Sequence, residues 1–146
     1  MCENKFDAQE IVDRLWLGSS HAGACSVEIL QTKKISHVLV AGMGLTMPHK
    51  DEPSIHYHKI NLIDHHSQSL TKHLDGCLKF IDDALAAEGS VLVHCALGVS
   101  RSASIVIAYV SKTLHLTFDE AISLVREKRP EVEPNGALLS RNTIDN

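Results

Sequence analysis

The stretch Leu-Val-His-Cys-Ala-Leu-Gly-Val-Ser-Arg-Ser-Ala-Ser, residues 92–104, constrains the fold more than any other part of the chain. It joins a short continuous apolar run, typical of a buried strand, to a segment that is apolar almost all round, typical of a central helix. The connecting loop begins at Cys95 and ends at Arg101. Ligands of open α/β sheets bind outside the carboxyl ends of the strands. We therefore expect the functional site in this loop.

Strands and helices alternate along the rest of the chain, and the alternation predicts the fold class. The pattern is typical of an α/β fold in which a central, mostly parallel, twisted sheet of about five strands carries helices on both faces. At 146 residues the chain has the length of one domain, and we expect a single domain over residues 1–146. Strands are predicted at 11–19 (a strand or a hairpin), 37–42, 55–62 and 90–94, and helices at 23–35, 69–88, 100–114 and 117–129, with a weaker one at 134–146.

The residues of the loop favour the binding of a tetrahedral dianion. Ala96, Leu97, Gly98, Val99 and Ser100 are small or have side chains that can point away, so their backbone N–H groups can turn inward as a cradle. The next helix directs its positive N-terminus into the same cradle. Its first residue, Arg101, adds a planar guanidinium that can hold two phosphate oxygens at once.

The cysteine at the start of the loop is the candidate nucleophile. A helix N-terminus, N–H donors and a nearby guanidinium lower the pKa of a thiol, so Cys95 is predicted to be a thiolate that attacks phosphorus. The hydroxyl of Ser102 is placed to hydrogen-bond this sulfur and to help it leave from a phosphocysteine intermediate. His94 is expected to orient the loop rather than to transfer protons.

The pattern His94-Cys95, five residues, Arg101-Ser102 resembles the signature of the protein tyrosine phosphatase superfamily. The run Ala-Leu-Gly-Val-Ser-Arg-Ser-Ala, residues 96–103, is similar to that of its dual-specificity members. The resemblance extends over nearly the whole chain through "RLWLGS", "INLIDH" and "KRPEVEPN". It implies a protein tyrosine phosphatase-like fold, and Asp64 as the general acid that protonates the leaving group and later activates water.

The resemblance also implies that Asn135 supports the phosphate loop by hydrogen bonding. The chain departs from the family directly afterwards, because Gly-Ala-Leu-Leu-Ser-Arg follows where the family has an aromatic residue and then Gln-Leu. A loosely packed last helix, or a phosphate loop with less support, is the expected consequence.

Loop composition and aromatic content narrow the substrate class. No lysine stands between Cys95 and Arg101 to meet the extra phosphates of an inositol lipid. With one Trp, two Tyr and three Phe, the chain has little material for the deep aromatic pocket of tyrosine-specific enzymes. We therefore expect a dual-specificity protein phosphatase for phosphotyrosine, phosphoserine and phosphothreonine. An inactive phospho-binding scaffold and a rhodanese-like sulfur transferase are the alternatives; Arg101, Ser102 and Asp64 speak against the second.

Composition and net charge limit the classes of partner and the cellular location that we expect for this chain. The formal net charge is −4 without a basic run, which argues against a nucleic-acid binder. No apolar run is long enough for a membrane span and no secretory signal is recognisable, so we expect a cytoplasmic location, with the nucleus as a second compartment, and free thiols. A phosphorylated protein and a phosphate- or sulfate-like anion are the expected partners. No cofactor and no metal are expected. His56 and His58 lack further ligands at sensible spacing. His65 and His66 are adjacent loop residues that do not face one another, and the chemistry needs no metal. The oligomeric state is not specified.

Overall fold

A five-stranded sheet organises the part of the chain that the computed structural model describes, residues 6–62 and 70–134. The strand order is β1-β2-β5-β3-β4. The β1–β2 hairpin is antiparallel, and every other neighbouring pair is parallel. The predicted α/β class with a mostly parallel sheet is therefore confirmed. The strands are β1 (Ala8–Val12), β2 (Leu15–Gly18), β3 (Ile35–Ala41), β4 (His56–Ile60) and β5 (Ser90–His94).

Five helices connect and cover these strands within the described residues. Their limits follow local capping: Ser26 accepts the N–H of Ile29, and Thr117 forms a reciprocal capping box with Glu120. The first cap explains why the helix predicted from residue 23 begins later and is preceded by a separate short turn of helix. The helices are α1 (Ser20–Gly23), α2 (Val27–Thr32), α3 (Thr71–Ala86), α4 (Arg101–Leu114) and α5 (Phe118–Lys128).

The alternation of side chains along the central strands separates two apolar layers. Leu39 packs in the larger core together with residues of α3, α4 and α5, whereas its neighbours Val38 and Val40 pack in the smaller core with residues of α1 and α2. Helices therefore lie on both faces of the sheet, as predicted, because successive side chains of a strand point to opposite faces.

Helix α4 is the central helix of the larger layer. Every residue from Ser102 to Ser111 is buried. Its N-terminus lies just past the carboxyl end of β5, the middle strand of the sheet. This placement fixes the 95–100 loop at the carboxyl edge of the sheet, with strands on both sides.

Two further expectations can be compared with the structure. Cys77 and Cys95 are free thiols, whereas Cys25 is disulfide-bonded, so the prediction of free thiols was wrong for Cys25. Over residues 6–62 and 70–134, no helix is long and apolar enough to cross a membrane. The weaker helix predicted at 134–146 falls almost wholly outside the described residues.

Candidate active site

The loop between β5 and α4 has its carbonyl groups turned outward. Four consecutive carbonyl oxygens, at residues 96–99, each accept a hydrogen bond from a group outside the loop. Because a trans peptide places its N–H opposite its C=O, the amides that follow these carbonyls face the interior of the loop. The donors are Ser20 N and Oγ to Ala96 O (3.0 and 3.2 Å), Arg129 Nη2 to Leu97 O (2.9 Å), Arg129 Nε to Gly98 O (2.9 Å) and Glu133 N to Val99 O (2.7 Å).

Gly98 permits the tight turn of the loop. Its φ is +72°, in the left-handed region that side chains rarely adopt. A Cβ at this position would lie 2.5 Å from the carbonyl oxygen of Gly18 and 2.8 Å from the Arg129 guanidinium. The loop can therefore reach this conformation, and pack against β2, only with glycine here.

Cys95 lies at the bottom of the loop, with 2% of its surface exposed. Its Sγ is 3.1 Å from the Oγ of Ser102 and accepts the Gly98 N–H at 3.3 Å. Burial acts to raise the pKa of this thiol, but the hydrogen bonds of Ser102 and Gly98 and the charge of Arg101 outweigh it and hold the pKa below its usual value. The arrangement favours the thiolate.

Cys77 shows that burial alone has the opposite effect. It lies in the core on α3, and burial without compensating donors raises the pKa of its thiol to about 12. The contrast assigns the reactivity of Cys95 to its polar neighbours rather than to its residue type.

The side chain of Arg101, the first residue of α4, extends toward the segment that follows β4. Its Nη1 donates to the Leu62 carbonyl at 3.3 Å, and a Cβ at Gly42 would approach that nitrogen to 2.7 Å. Gly42 thus leaves the space through which the guanidinium reaches the rim of the loop.

His94 holds the backbone below the nucleophile. It is buried, and burial lowers the pKa of its imidazole, which favours the neutral ring. Its Nδ1 lies 3.2 Å from the Cys95 carbonyl, so this nitrogen carries the proton and donates. Its Nε2 has no partner among the described residues. The geometry suits an orienting residue, the role expected from the sequence.

The pocket above Cys95 is small. Its volume is about 150 Å³, well below the range of roughly 300–1,000 Å³ typical of small-molecule sites. A phosphoryl group fits this space. It is lined by Cys95, Ala96, Leu97, Val99, Ser100 and Arg101.

Sequence reasoning missed Arg129, which is 1% exposed and supports the loop from behind. Besides its two bonds to loop carbonyls, its Nη1 donates to Asp7 at 3.1 Å and to Gln9 at 2.7 Å. Burial acts to raise the pKa of Asp7, but its polar neighbours, among them the Arg129 guanidinium that donates to it, lower the pKa overall, so the pair is ionised. In the sequence Arg129 was only the residue where α5 ends before a proline, and no local signal indicates its burial.

The structure brings Cys95, Ser102 and Arg101 together around one loop. Asp64, with His65 and His66, and Asn135 lie outside the described residues, so their predicted roles stay predictions. Within the described ranges no group of three or more His, Cys, Asp or Glu side chains could hold a metal ion.

Comparison with known proteins agrees with this geometry. The family model for the dual specificity phosphatase catalytic domain matches residues 15–141. Dual specificity protein phosphatase 1B of Arabidopsis thaliana is 37% identical, over 97% of this chain and 83% of its own length. Human dual specificity protein phosphatase 9 is 36% identical over 86% of this chain, which spans only 33% of that protein.

Solved structures share the fold over almost the whole chain. The human tyrosine phosphatase-like serine/threonine/tyrosine-interacting protein superposes with a TM-score of 0.85 at 27% identity, covering 95% of this chain and 93% of the other. DUSP15 gives a TM-score of 0.80 at 26% identity, with 95% and 85% covered. With the family model and relatives that match most of its length, this chain belongs to the dual specificity phosphatase catalytic-domain family.

Proposed function

We propose that this chain hydrolyses phosphotyrosine and phosphoserine or phosphothreonine in proteins through a phosphocysteine intermediate. One observation carries the proposal: the Cys95 sulfur lies within hydrogen-bonding distance of both Ser102 and Gly98 at the bottom of a loop whose carbonyls face outward. The inward amides and the N-terminus of α4 favour a dianion directly above this sulfur.

The first step transfers the phosphoryl group to sulfur. A phosphate oxygen pair binds Arg101 while the other oxygens meet the loop amides. The thiolate of Cys95 forms a bond to phosphorus as the bond from phosphorus to the substrate oxygen breaks. Asp64, in its predicted role, gives its proton to the departing oxygen, and the product is an alcohol or a phenol.

The second step releases phosphate. Asp64, now a carboxylate, takes a proton from a water molecule whose oxygen attacks phosphorus, and the sulfur–phosphorus bond breaks. The Ser102 hydroxyl, 3.1 Å from Sγ, donates a hydrogen bond to the sulfur as its negative charge returns. Inorganic phosphate leaves, and both Cys95 and Asp64 regain their starting protonation states.

The small pocket supports dual specificity. Its volume of about 150 Å³ accepts the phosphoryl group common to all three phosphoresidues and does not demand a long stem. A phosphate- or sulfate-like anion is the proposed ligand of the loop, and no nucleic acid is proposed as a partner. The proposed location is the cytoplasm, with the nucleus as a second compartment.

Hydrolysis of a small aryl phosphate between about pH 5 and pH 8, with reductant and without added metal, tests the mechanism. We expect activity in the wild type that is abolished in Cys95→Ser. Asp64→Asn is expected to lose the limb of the pH profile that needs a protonated acid. Turnover that survives in folded Cys95→Ser would refute the cysteine mechanism.

A phospho-binding scaffold is the second candidate. It is supported by the structural similarity to a protein named as tyrosine phosphatase-like and interacting, and by the departure from the family after Asn135. A folded wild type without turnover that still binds phosphate-like anions would favour this alternative.

A further inference from the structure

Two of the three large apolar residues that are exposed in the described part of the chain belong to connections at the carboxyl edge of the sheet, where the catalytic pocket lies. Among the described residues, three large apolar side chains are exposed: Leu97 (71%), Met43 (56%) and Leu114 (46%). Leu97 and Met43 belong to the connections that follow β5 and β3 at the carboxyl edge of the sheet. Leu114 is the last residue of α4, about 20 Å from the loop along the helix at 1.5 Å per residue.

Met43 lies beside the Arg101 side of the pocket. Its backbone N–H donates to the Leu62 carbonyl at 3.2 Å, and this oxygen also accepts from Arg101 Nη1 at 3.3 Å. The preceding residue, Gly42, is in close approach to the same guanidinium. The backbone of Met43 therefore lies next to the guanidinium that is proposed to hold the phosphate, and more than half of the residue's surface is open to solvent.

Leu97 lies on the opposite flank. Its carbonyl is bound by Arg129, which in turn contacts Asp7 and Gln9 at the β1 edge of the sheet. Its side chain lines the pocket and projects from the loop, since no other loop residue is as exposed. Because β2 and β1 lie on one side of β5, and β3 and β4 on the other, the backbone contacts of Leu97 and Met43 lie on opposite sides of the phosphate site.

The size of the pocket decides what these side chains meet. The phosphoryl group takes the part of the 150 Å³ pocket next to Cys95, and the group attached to its ester oxygen extends toward the rim. In phosphotyrosine that group is a phenyl ring, which gains by contact with a leucine and with a methionine sulfur. In phosphoserine and phosphothreonine it is a short alkyl stem followed by polar backbone, which buries less apolar area.

We propose that Met43 and Leu97 form an apolar rim that makes phosphotyrosine the preferred substrate over phosphothreonine. The inference rests on the proposed phosphatase function, which it refines by naming the residues that discriminate between the two phosphoesters. Arg101 and the loop amides bind the phosphoryl group of either substrate, and the rim adds binding only for the aromatic stem.

The test compares two phosphopeptides that differ only in carrying phosphotyrosine or phosphothreonine. Met43→Ser is expected to lower kcat/KM for the phosphotyrosine peptide about 3- to 10-fold, from the apolar area that the ring no longer covers, and to change the phosphothreonine value less than about twofold. Met43→Leu should restore most of the loss. Leu114→Ser, which removes an exposed leucine at the far end of α4, is the matched control and should change neither value.

The same pair of peptides is also measured for binding to Cys95→Ser with and without Met43→Ser. Binding to Cys95→Ser tests the rim without requiring turnover. An absence of turnover in the wild type would count against the proposed phosphatase function and not against the rim. Equal losses on both peptides, or no loss on the phosphotyrosine peptide in either arm, would overturn the rim. A phosphothreonine preference in the wild type would overturn it as well.

Discussion

Removal of the Arg129 guanidinium should disable the catalytic loop without touching any residue that meets the substrate. Arg129→Met keeps the length of the side chain and removes all its donors. Four hydrogen bonds of 2.7–3.1 Å are lost, two to loop carbonyls and two to Asp7 and Gln9. The carbonyl of Gly98 is then left buried without a partner, whereas Asp7, 44% exposed at its side chain, regains water.

The expected loss of stability follows from these contacts. Breaking a buried ion pair by removing one partner costs about 3–5 kcal/mol, and the exposure of Asp7 places this case near the lower end. Because domains of this kind unfold with about 5–15 kcal/mol, we expect the variant to fold at room temperature with a Tm lowered by roughly 10 °C. A misplacement of the loop by about 1 Å should lower kcat on an aryl phosphate by about 100-fold.

The assay pairs thermal unfolding, followed by circular dichroism, with steady-state kinetics at a temperature where the variant is folded. Arg14→Met is the matched control, because Arg14 also donates to backbone carbonyls, those of Leu85 and Gly89 at 3.1 and 3.0 Å, which precede the amino end of β5 and lie at the opposite edge of the sheet from the loop. It should lose about 1 kcal/mol of stability and keep its kcat. A folded Arg129→Met with kcat within about twofold of the wild type would refute the positioning role.

The other predictions concern charge and backbone conformation. Iodoacetamide should alkylate Cys95 at pH values below the usual thiol pKa, because the lowered pKa of Cys95 keeps the thiolate present there. Cys77, whose pKa is raised, should stay unmodified in the folded protein. Equal labelling of the two cysteines, measured by mass spectrometry, would contradict this prediction. Ser102→Ala removes a hydrogen bond that lowers this pKa, so the alkylation profile of Cys95 should shift to higher pH, and phosphocysteine should accumulate in rapid-quench experiments. Gly98→Ala forces a Cβ against Gly18 at positive φ and should lower both Tm and kcat, with a stability loss of about 1–3 kcal/mol in urea unfolding. Burial and the neighbouring His56 lower the pKa of His37 in the folded state. The free energy of unfolding should therefore be highest above about pH 6.5 and should fall as the pH drops and this imidazole must be protonated. His37→Asn should reduce this pH dependence, as measured by urea titrations at several pH values.

The pattern of residues along the chain predicts the fold class, the position of the loop and the chemistry of its residues. Apolar runs with a period of two or 3.6 residues specify which segments become buried strands and helices, and the alternation of the two specifies a parallel sheet. Cys95, Arg101 and Ser102 could be named because the loop, the turn glycine and the helix start are contiguous in the chain. Local chemistry of this kind needs no knowledge of distant residues.

The groups that surround this loop come from distant parts of the chain, and the folded structure is needed to identify them. Arg129 reaches Gly98 from 31 positions away, and Asp7 reaches Arg129 from 122 positions away, so no local pattern could show that this arginine is buried beneath the loop. Strand order, likewise non-local, places the connection that carries Met43 beside the loop that follows β5. Local spacing predicts helices and strands because the hydrogen bonds of a helix or a turn join residues that are near one another in the chain. The support of a site, and the surface it presents to a substrate, arise from segments that meet only after the sheet has formed.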